Sequence, residues 1–161
     1  MSDILHSGIE NDIHSTVVIK EFAKLVIGKG NTIGPNVVIG FPGAIRGKEK
    51  FNGRVIIGDN NIIMANTIIM AGEDGDTVIG NKNIIMGLCN IGHNCKIGNN
   101  NEIGCGTIIC GHVEIGNANA IKIGCTIRNR TKIGNTNLIG MGSNVVKDIG
   151  NEQTVMGNPA K

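Results

Sequence analysis

The sequence predicts an all-β protein built as a parallel β-helix of about seven coils. The first observation is an aliphatic residue at every sixth position from Ile79 to Val145. Helices repeat every 3.6 residues and half-buried strands every two, so a strict six indicates hexapeptide repeats, with three six-residue faces in an 18-residue coil. The second observation is an 18-residue spacing that would stack side-chain amides in a hydrogen-bonded ladder, at Asn83, Asn101, Asn119 and Asn137.

A second column of residues supports the same fold. Two positions before each aliphatic residue the sequence places Thr, Asn, Cys, Val or Ser, and none of these side chains is large or charged. This composition predicts that both columns point into the coil. Burial of each isoleucine there would contribute on the order of 1.5–3 kcal/mol.

The six-residue spacing also covers the N-terminal part of the chain. It runs from Ile27 to Ile69, includes Ile45 and Phe51, and then slips by four residues around 72–76 (GEDGD). The segment 41–54 (FPGAIRGKEKFNGR) is basic and contains a proline, which is typical of a loop that leaves the coil.

These patterns divide the chain into three parts. We predict a lead-in over residues 1–12, a β-helix over 13–150 and a C-terminal tail over 151–161. The β-helix carries loop excursions near 41–54 and 72–76.

The composition excludes several classes of function. A net charge of +2 is too mild for a polyanion partner, and the absence of Trp and Tyr leaves no aromatic platform for bases, so no nucleic-acid partner is expected. Five cysteines, an odd number, favour a reduced, cytoplasmic compartment. The sequence has neither an apolar leader nor a run of 18 apolar residues, so we expect no secretion by that route and no membrane span.

Two histidines inside the regular repeat are candidate catalytic residues. His93 lies in IGHNCKIG and His112 in CGHVEIG, 19 residues later, so adjacent coils would project them on nearly the same side. A histidine can accept a proton from a nucleophile near neutral pH, and the backbone N–H of Gly111 could stabilise a developing oxyanion. Spacing alone is equally compatible with two ordinary outward polar positions.

These motifs resemble those of a known family. The segments GHNC at 92–95 and GHV at 111–113, with the ending VVKD…GNPAK, are similar to the left-handed β-helix acyltransferases. Both the acetyl-CoA-dependent nucleotide-sugar N-acetyltransferases and the acyl-carrier-protein-dependent UDP-N-acetylglucosamine O-acyltransferases share them. The resemblance implies a left-handed coil, a general base at His93, a contact from Gly111 to the thioester carbonyl, and sites between the subunits of a homotrimer.

The resemblance also implies a reaction. The short chain and the GNPAK ending favour transfer of an acetyl group from acetyl-CoA to the amine of a nucleotide-linked amino sugar. The coenzyme would be held by Gly111, Arg128, Lys147, Pro159 and Lys161. The alternative is an enzyme like the UDP-N-acetylglucosamine O-acyltransferases, with an acyl-carrier-protein thioester as donor.

One departure concerns the orientation of the base. The residue after the base is often acidic in these families, whereas here it is Asn94. The 18-residue count places the acidic excursion directly below His93, so Asp74, Asp76 or Glu73 could take over this role.

Two other classes fit less well. A metal enzyme of the γ-carbonic anhydrase kind resembles a pattern with two histidines five residues apart, and none of the four histidines is so spaced, so no metal is expected. An ice-binding β-helix would show a threonine ladder on an outer face, whereas most threonines here fall in the inward column or occur singly.

Overall fold

The computed structural model describes residues 11–20, 25–43 and 52–161, and the regular structure in these ranges consists of short strands. The strands are β1 Asp12–Ile13, β2 Val18–Ile19, β3 Leu25–Ile27, β4 Thr32–Ile33, β5 Val38–Phe41, β6 Val55–Ile57, β7 Ile62–Ile63, β8 Ile68–Met70, β9 Thr77–Ile79, β10 Ile84–Ile85, β11 Asn90–Ile91, β12 Lys96–Ile97, β13 Glu102–Ile103, β14 Ile108–Ile109, β15 Glu114–Ile115, β16 Ala120–Ile121, β17 Thr126–Ile127, β18 Lys132–Ile133, β19 Leu138–Ile139, β20 Asn144–Val145 and β21 Thr154–Val155.

The strands form three parallel sheets, and each sheet takes every third strand of the regular coils. The first sheet runs β1-β4-β7-β10-β13-β16-β19-β21, the second β2-β5-β8-β11-β14-β17-β20, and the third β3-β6-β9-β12-β15-β18. Ile85 pairs with Ile103, which pairs with Ile121, at the predicted 18-residue interval. The prediction of a left-handed parallel β-helix of about seven coils is confirmed.

The irregular coils are longer by whole insertions. Thr32 pairs with Ile62, an interval of 30 residues, and Ile62 pairs with Ile84, an interval of 22. The second interval exceeds 18 by the four residues of the predicted slip at 72–76. The first exceeds it by 12, which is two repeats. Residues 44–51, and with them the predicted spacing of Ile45 and Phe51, lie outside the described residues.

Both inward columns are buried as predicted. The aliphatic column from Ile27 to Val145 is at most 4% exposed at the positions that the structure describes. In the second column the Nδ2 of Asn101 donates to the Oδ1 of Asn83 at 3.1 Å and to the carbonyl of Gly116 at 2.9 Å. The ladder extends beyond the four predicted members, through Asn31, Asn61, Asn83, Asn101, Asn119 and Asn137.

The β-helix continues towards the C-terminus, into the range that the sequence assigns to the tail. β21 pairs with β19 in the first sheet, and Ile149 forms a single bridge to Ile133. The N–H of Ala160 then donates to the carbonyl of Asn144 at 2.9 Å. Among the described residues, no helix is long and apolar enough to cross a membrane.

Candidate active site

The two candidate histidines meet at one corner of the β-helix. His93 follows β11 and His112 follows β14, and these strands are direct neighbours in the second sheet. The backbone N–H of His112 donates to the carbonyl of His93 at 2.9 Å. Their rings form an edge-to-face pair with centroids 5.0 Å apart, and both side chains are largely buried. The stacking of consecutive coils therefore brings the two predicted residues together.

Glu73 supplies a carboxylate to the same corner. Its Oε2 lies 3.6 Å from the Nε2 of His112 and 3.9 Å from the Nδ1 of His93. Glu73 belongs to the excursion between β8 and β9. Asp76, which was a candidate to orient the base, instead pairs with Arg54 at 2.7 Å, and hydrogen bonds from that guanidinium lower the pKa of the Asp76 carboxyl.

Asn94 determines which ring nitrogen of His93 carries the proton. The Oδ1 of Asn94 accepts a hydrogen bond from the N–H of Glu73 at 2.8 Å, while its Nδ2 donates to the carbonyl of Gly75 at 3.3 Å. This Oδ1 also lies 3.0 Å from the Nδ1 of His93. Because a carbonyl oxygen can only accept, Nδ1 must be the donor, and the lone pair of the neutral ring is then at Nε2. The amide does what the expected acidic residue would do.

The backbone of Asn94 is held in place as well. Its N–H donates to the Oγ1 of Thr77 at 2.9 Å, and its φ of 59° lies in the left-handed region that asparagine tolerates better than most residues. The turn that presents His93 is therefore tied to the coil below it.

Gly111 leaves room for the free nitrogen of His93. A Cβ at residue 111 would lie 2.6 Å from the Nε2 of His93, closer than real Cβ contacts allow. Among the described residues, the N–H of Gly111 has no backbone or side-chain acceptor. One small residue thus places an unused hydrogen-bond donor next to a ring nitrogen that can accept a proton.

Two clefts flank this corner. One, of about 250 Å³, is lined by Asp74, Gly75, Asp76, Asn94, Lys96, His112 and Glu114. Sequence reasoning did not single out Lys96 and Glu114 of this set. They are outward residues of the paired strands β12 and β15, directly after the two histidine turns, and that position was the available signal.

The second cleft, of about 260 Å³, lies one coil beyond Gly111 and is basic. Its lining includes Arg128, Arg130 and Lys147, and the N–H of Arg130 donates to the carbonyl of Gly111 at 3.1 Å. The structure therefore brings the predicted residues Arg128 and Lys147 together. Pro159 and Lys161 are not among the lining residues of this cleft.

Comparison with known proteins finds acyltransferases, although no family model matches the chain. It is 40% identical over 94 residues to an acyl-[acyl-carrier-protein]–UDP-N-acetylglucosamine O-acyltransferase of Aliarcobacter butzleri, which covers 55% of this chain and 35% of the relative. A Rickettsia bellii enzyme of the same name is 39% identical over 97 residues, with 58% and 33% covered. A UDP-3-O-acylglucosamine N-acyltransferase of Dechloromonas aromatica is 54% identical over 54 residues, with 33% and 16% covered. The chain thus spans well under half the length of these relatives.

Solved structures give the same result over more of the chain. A UDP-N-acetylglucosamine acyltransferase from Bacteroides fragilis superposes with a TM-score of 0.88 and 28% identity, covering 94% of this chain and 60% of that one. The Arabidopsis enzyme superposes with a TM-score of 0.76 and 27% identity, covering 96% and 66%. The resemblance to hexapeptide-repeat, left-handed β-helix acyltransferases is confirmed.

The comparisons correct the predicted donor. The relatives named above take their acyl group from an acyl-carrier-protein thioester, so the prediction of acetyl-CoA as the cofactor is wrong. The GNPAK ending was a poor guide because it lies outside the histidine corner, and Pro159 and Lys161 line neither cleft. The alternative donor considered from the sequence agrees better with these relatives.

Proposed function

We propose that this protein transfers an acyl group from an acyl-carrier-protein thioester to a hydroxyl of UDP-N-acetylglucosamine. The observation that carries the proposal is the hydrogen-bonded chain from Asn94 to His93, which leaves Nε2 as a base beside the unused N–H of Gly111. A base next to an oxyanion donor is what acyl transfer requires. The O-acyltransferases among the relatives support the choice of donor and acceptor.

The reaction follows from the positions of these groups. The sugar hydroxyl attacks the thioester carbonyl, and the Nε2 of His93 takes the hydroxyl proton as the new C–O bond forms. The N–H of Gly111 stabilises the negative oxygen of the tetrahedral intermediate. When the intermediate collapses, the C–S bond breaks and His93 returns its proton to the departing thiolate.

The surrounding residues support the charged intermediate state. His93 becomes an imidazolium after proton transfer, and the carboxylate of Glu73, 3.9 Å from its Nδ1, favours that charge. His112 lies beside the same carboxylate and lines the 250 Å³ cleft, where it can contact the acceptor sugar. In the basic cleft one coil beyond Gly111, Arg128, Arg130 and Lys147 provide positive charge for the diphosphate of the nucleotide.

We infer that the working form is a cytoplasmic homotrimer. Sites between subunits are what the family resemblance implies, and the first sheet carries exposed aliphatic side chains at Ile62, Ile84 and Leu138 that a neighbouring subunit would cover. The five cysteines are all free thiols, as expected in a reducing compartment.

Turnover of a series of acyl-carrier-protein thioesters with UDP-N-acetylglucosamine tests the proposal. His93→Gln should lower kcat by about 10²-fold or more, because a glutamine cannot take a proton at this position. His14→Gln is the matched control, since His14 is an exposed histidine that contacts Thr16. Light scattering and circular dichroism should show the same trimer mass and fold for both variants.

Two results would refute this assignment. One is full activity of His93→Gln, and the other is an absence of turnover with every acyl chain length offered. Parallel reactions with an amine acceptor, a UDP-3-O-acylglucosamine, separate O-acylation from the N-acylation named for the Dechloromonas relative.

A further inference from the structure

We propose that Glu73, His93 and His112 also form a binding site for a divalent transition-metal ion, and that metal binding and base catalysis exclude each other at His93. One ligand atom from each residue lies within 4.8 Å of the other two. Two imidazole nitrogens and a carboxylate oxygen are a ligand set that zinc binds well.

The distances need only small adjustments to hold zinc. Bonds of about 2.0–2.1 Å to a tetrahedral ion place two ligand atoms about 3.3 Å apart. The Oε2 of Glu73 lies 3.6 Å from the Nε2 of His112 and 3.9 Å from the Nδ1 of His93. Side-chain rotations of a few tenths of an ångström close both gaps. Three protein ligands would leave the fourth position open to water or a substrate atom, as in catalytic zinc sites.

The backbone holds the three ligands near one another before any ion binds. The N–H of His112 is bonded to the carbonyl of His93. The N–H of Glu73 is bonded to the side chain of Asn94, whose own N–H is bonded to Thr77. The three ligand side chains are also largely shielded, with 16% to 26% of their surface exposed. Such preorganisation lowers the entropic cost of assembling a metal site.

The proton on His93 makes the two roles incompatible. As a base, the ring carries its proton on Nδ1, donated to Asn94, and keeps a lone pair at Nε2. As a metal ligand through Nδ1, the ring must carry that single proton on Nε2, where a lone pair is then absent. Zinc should therefore inhibit acyl transfer without displacing the acceptor. This consequence, unlike the metal site itself, rests on the proposed function.

Calorimetric titration of the chelator-treated protein with zinc chloride, without substrates, tests the site. We expect one ion per chain, with affinity lowered at least tenfold by Glu73→Gln and by His112→Gln and unchanged by His14→Gln. Circular dichroism must show the fold retained in each variant. Equal affinity in all four proteins, or no binding by the wild type, would overturn the proposal.

Cobalt(II) provides a second reading that does not depend on a variant. Its absorption spectrum in the protein should show ligand-field bands of a nitrogen and oxygen site. A strong thiolate charge-transfer band would instead place the ion on the free cysteines and overturn the assignment. Zinc-saturated protein should lose acyl transfer in proportion to site occupancy. Full activity at saturation would contradict the exclusion, whereas zinc binding without any acyl transfer by the zinc-free protein would refute only the proposed function.

Discussion

At the scale of single residues, the chemistry depends on which acceptor the Nδ1–H of His93 finds. An acidic residue at position 94 would take this proton as a charged acceptor, whereas Asn94 takes it as a neutral one that is already fixed by the N–H of Glu73. The charge that favours the imidazolium comes instead from Glu73, which is 22 residues before His112 in... the preceding coil's excursion and contacts both rings.

 Correction to the separation just stated: Glu73 precedes His93 by 20 residues and His112 by 39, not by 22. The base and its counter-charge therefore come from different coils.

Gly111→Ala should remove activity while preserving the fold. The added Cβ would lie 2.6 Å from the Nε2 of His93, so the imidazole must rotate away from the N–H that stabilises the oxyanion. We expect kcat to fall by about 10²-fold or more, since an oxyanion donor and a base are lost together. Gly150→Ala is the control, because the nearest atom to its added Cβ is the flexible end of Gln153 at 3.3 Å. Equal activity of the two variants would show that the Gly111 contact is unimportant.

At the scale of repeated elements, two asparagine ladders follow the coils, one inside and one outside. In the inner ladder, Asn101 accepts from the N–H and Nδ2 of Asn119 and donates to Asn83. In the outer ladder, Asn99 donates to Asn117 and accepts from Asn81. The two ladders use the same bonds with opposite polarity along the chain, and they differ mainly in access to water.

Asn101→Ala should destabilise the protein far more than Asn99→Ala. Truncation of the buried Asn101 leaves the Oδ1 of Asn83, the carbonyl of Gly116 and the N–H of Asn119 without these partners and away from water. At about 1–3 kcal/mol for each such group, partly relieved by relaxation, we expect a loss of roughly 3 kcal/mol or more. At the exposed Asn99 water replaces the lost bonds, so we expect under about 1 kcal/mol. Urea denaturation of both variants measures the difference, and similar losses would show that burial of the ladder is irrelevant.

At the scale of the whole molecule, the free energy of unfolding should fall in alkaline solution. Burial raises the pKa of the thiols of Cys89 and Cys125, and it raises the pKa of Cys95 to about 12. An unfolded thiol ionises near pH 8.5. Below that value the folded and unfolded chains bind the same protons at these sites. Above it only the unfolded chain loses them, so stability declines from about pH 9 up to the raised pKa.

Cys95→Val isolates this effect at one site. Val113 occupies the same inward column on the next coil, so valine suits the position. Each silent thiol contributes at most about 1.4 kcal/mol per pH unit to the alkaline slope, and the variant should lose one such contribution. Urea denaturation under reducing conditions from pH 7 to alkaline pH measures this slope. Parallel curves for the variant and the wild type would contradict the prediction.

The coil could be predicted from the sequence because its inward positions repeat. The 18-residue spacing of the asparagines specifies which residues stack, and it also brings His93 and His112 together. The position of Glu73 could not be predicted in the same way, because the excursion at 72–76 has no repeat position and its path depends on bonds such as the one from Glu73 to Asn94. The 12 inserted residues in the longest coil escaped detection because 12 is a multiple of six. The donor was mispredicted because the coil does not encode it.

The four extra residues between β8 and β9 separate the chemistry of the corner from the architecture that supports it. The inward columns resume at Thr77 and Ile79 with their pairing intact, so nothing above or below depends on what the excursion contains. The acid of the site is therefore an exchangeable cassette. Residues in this segment can be replaced, or the segment shortened, to retune the electrostatics of the two histidines while every rung of the scaffold stays where it is.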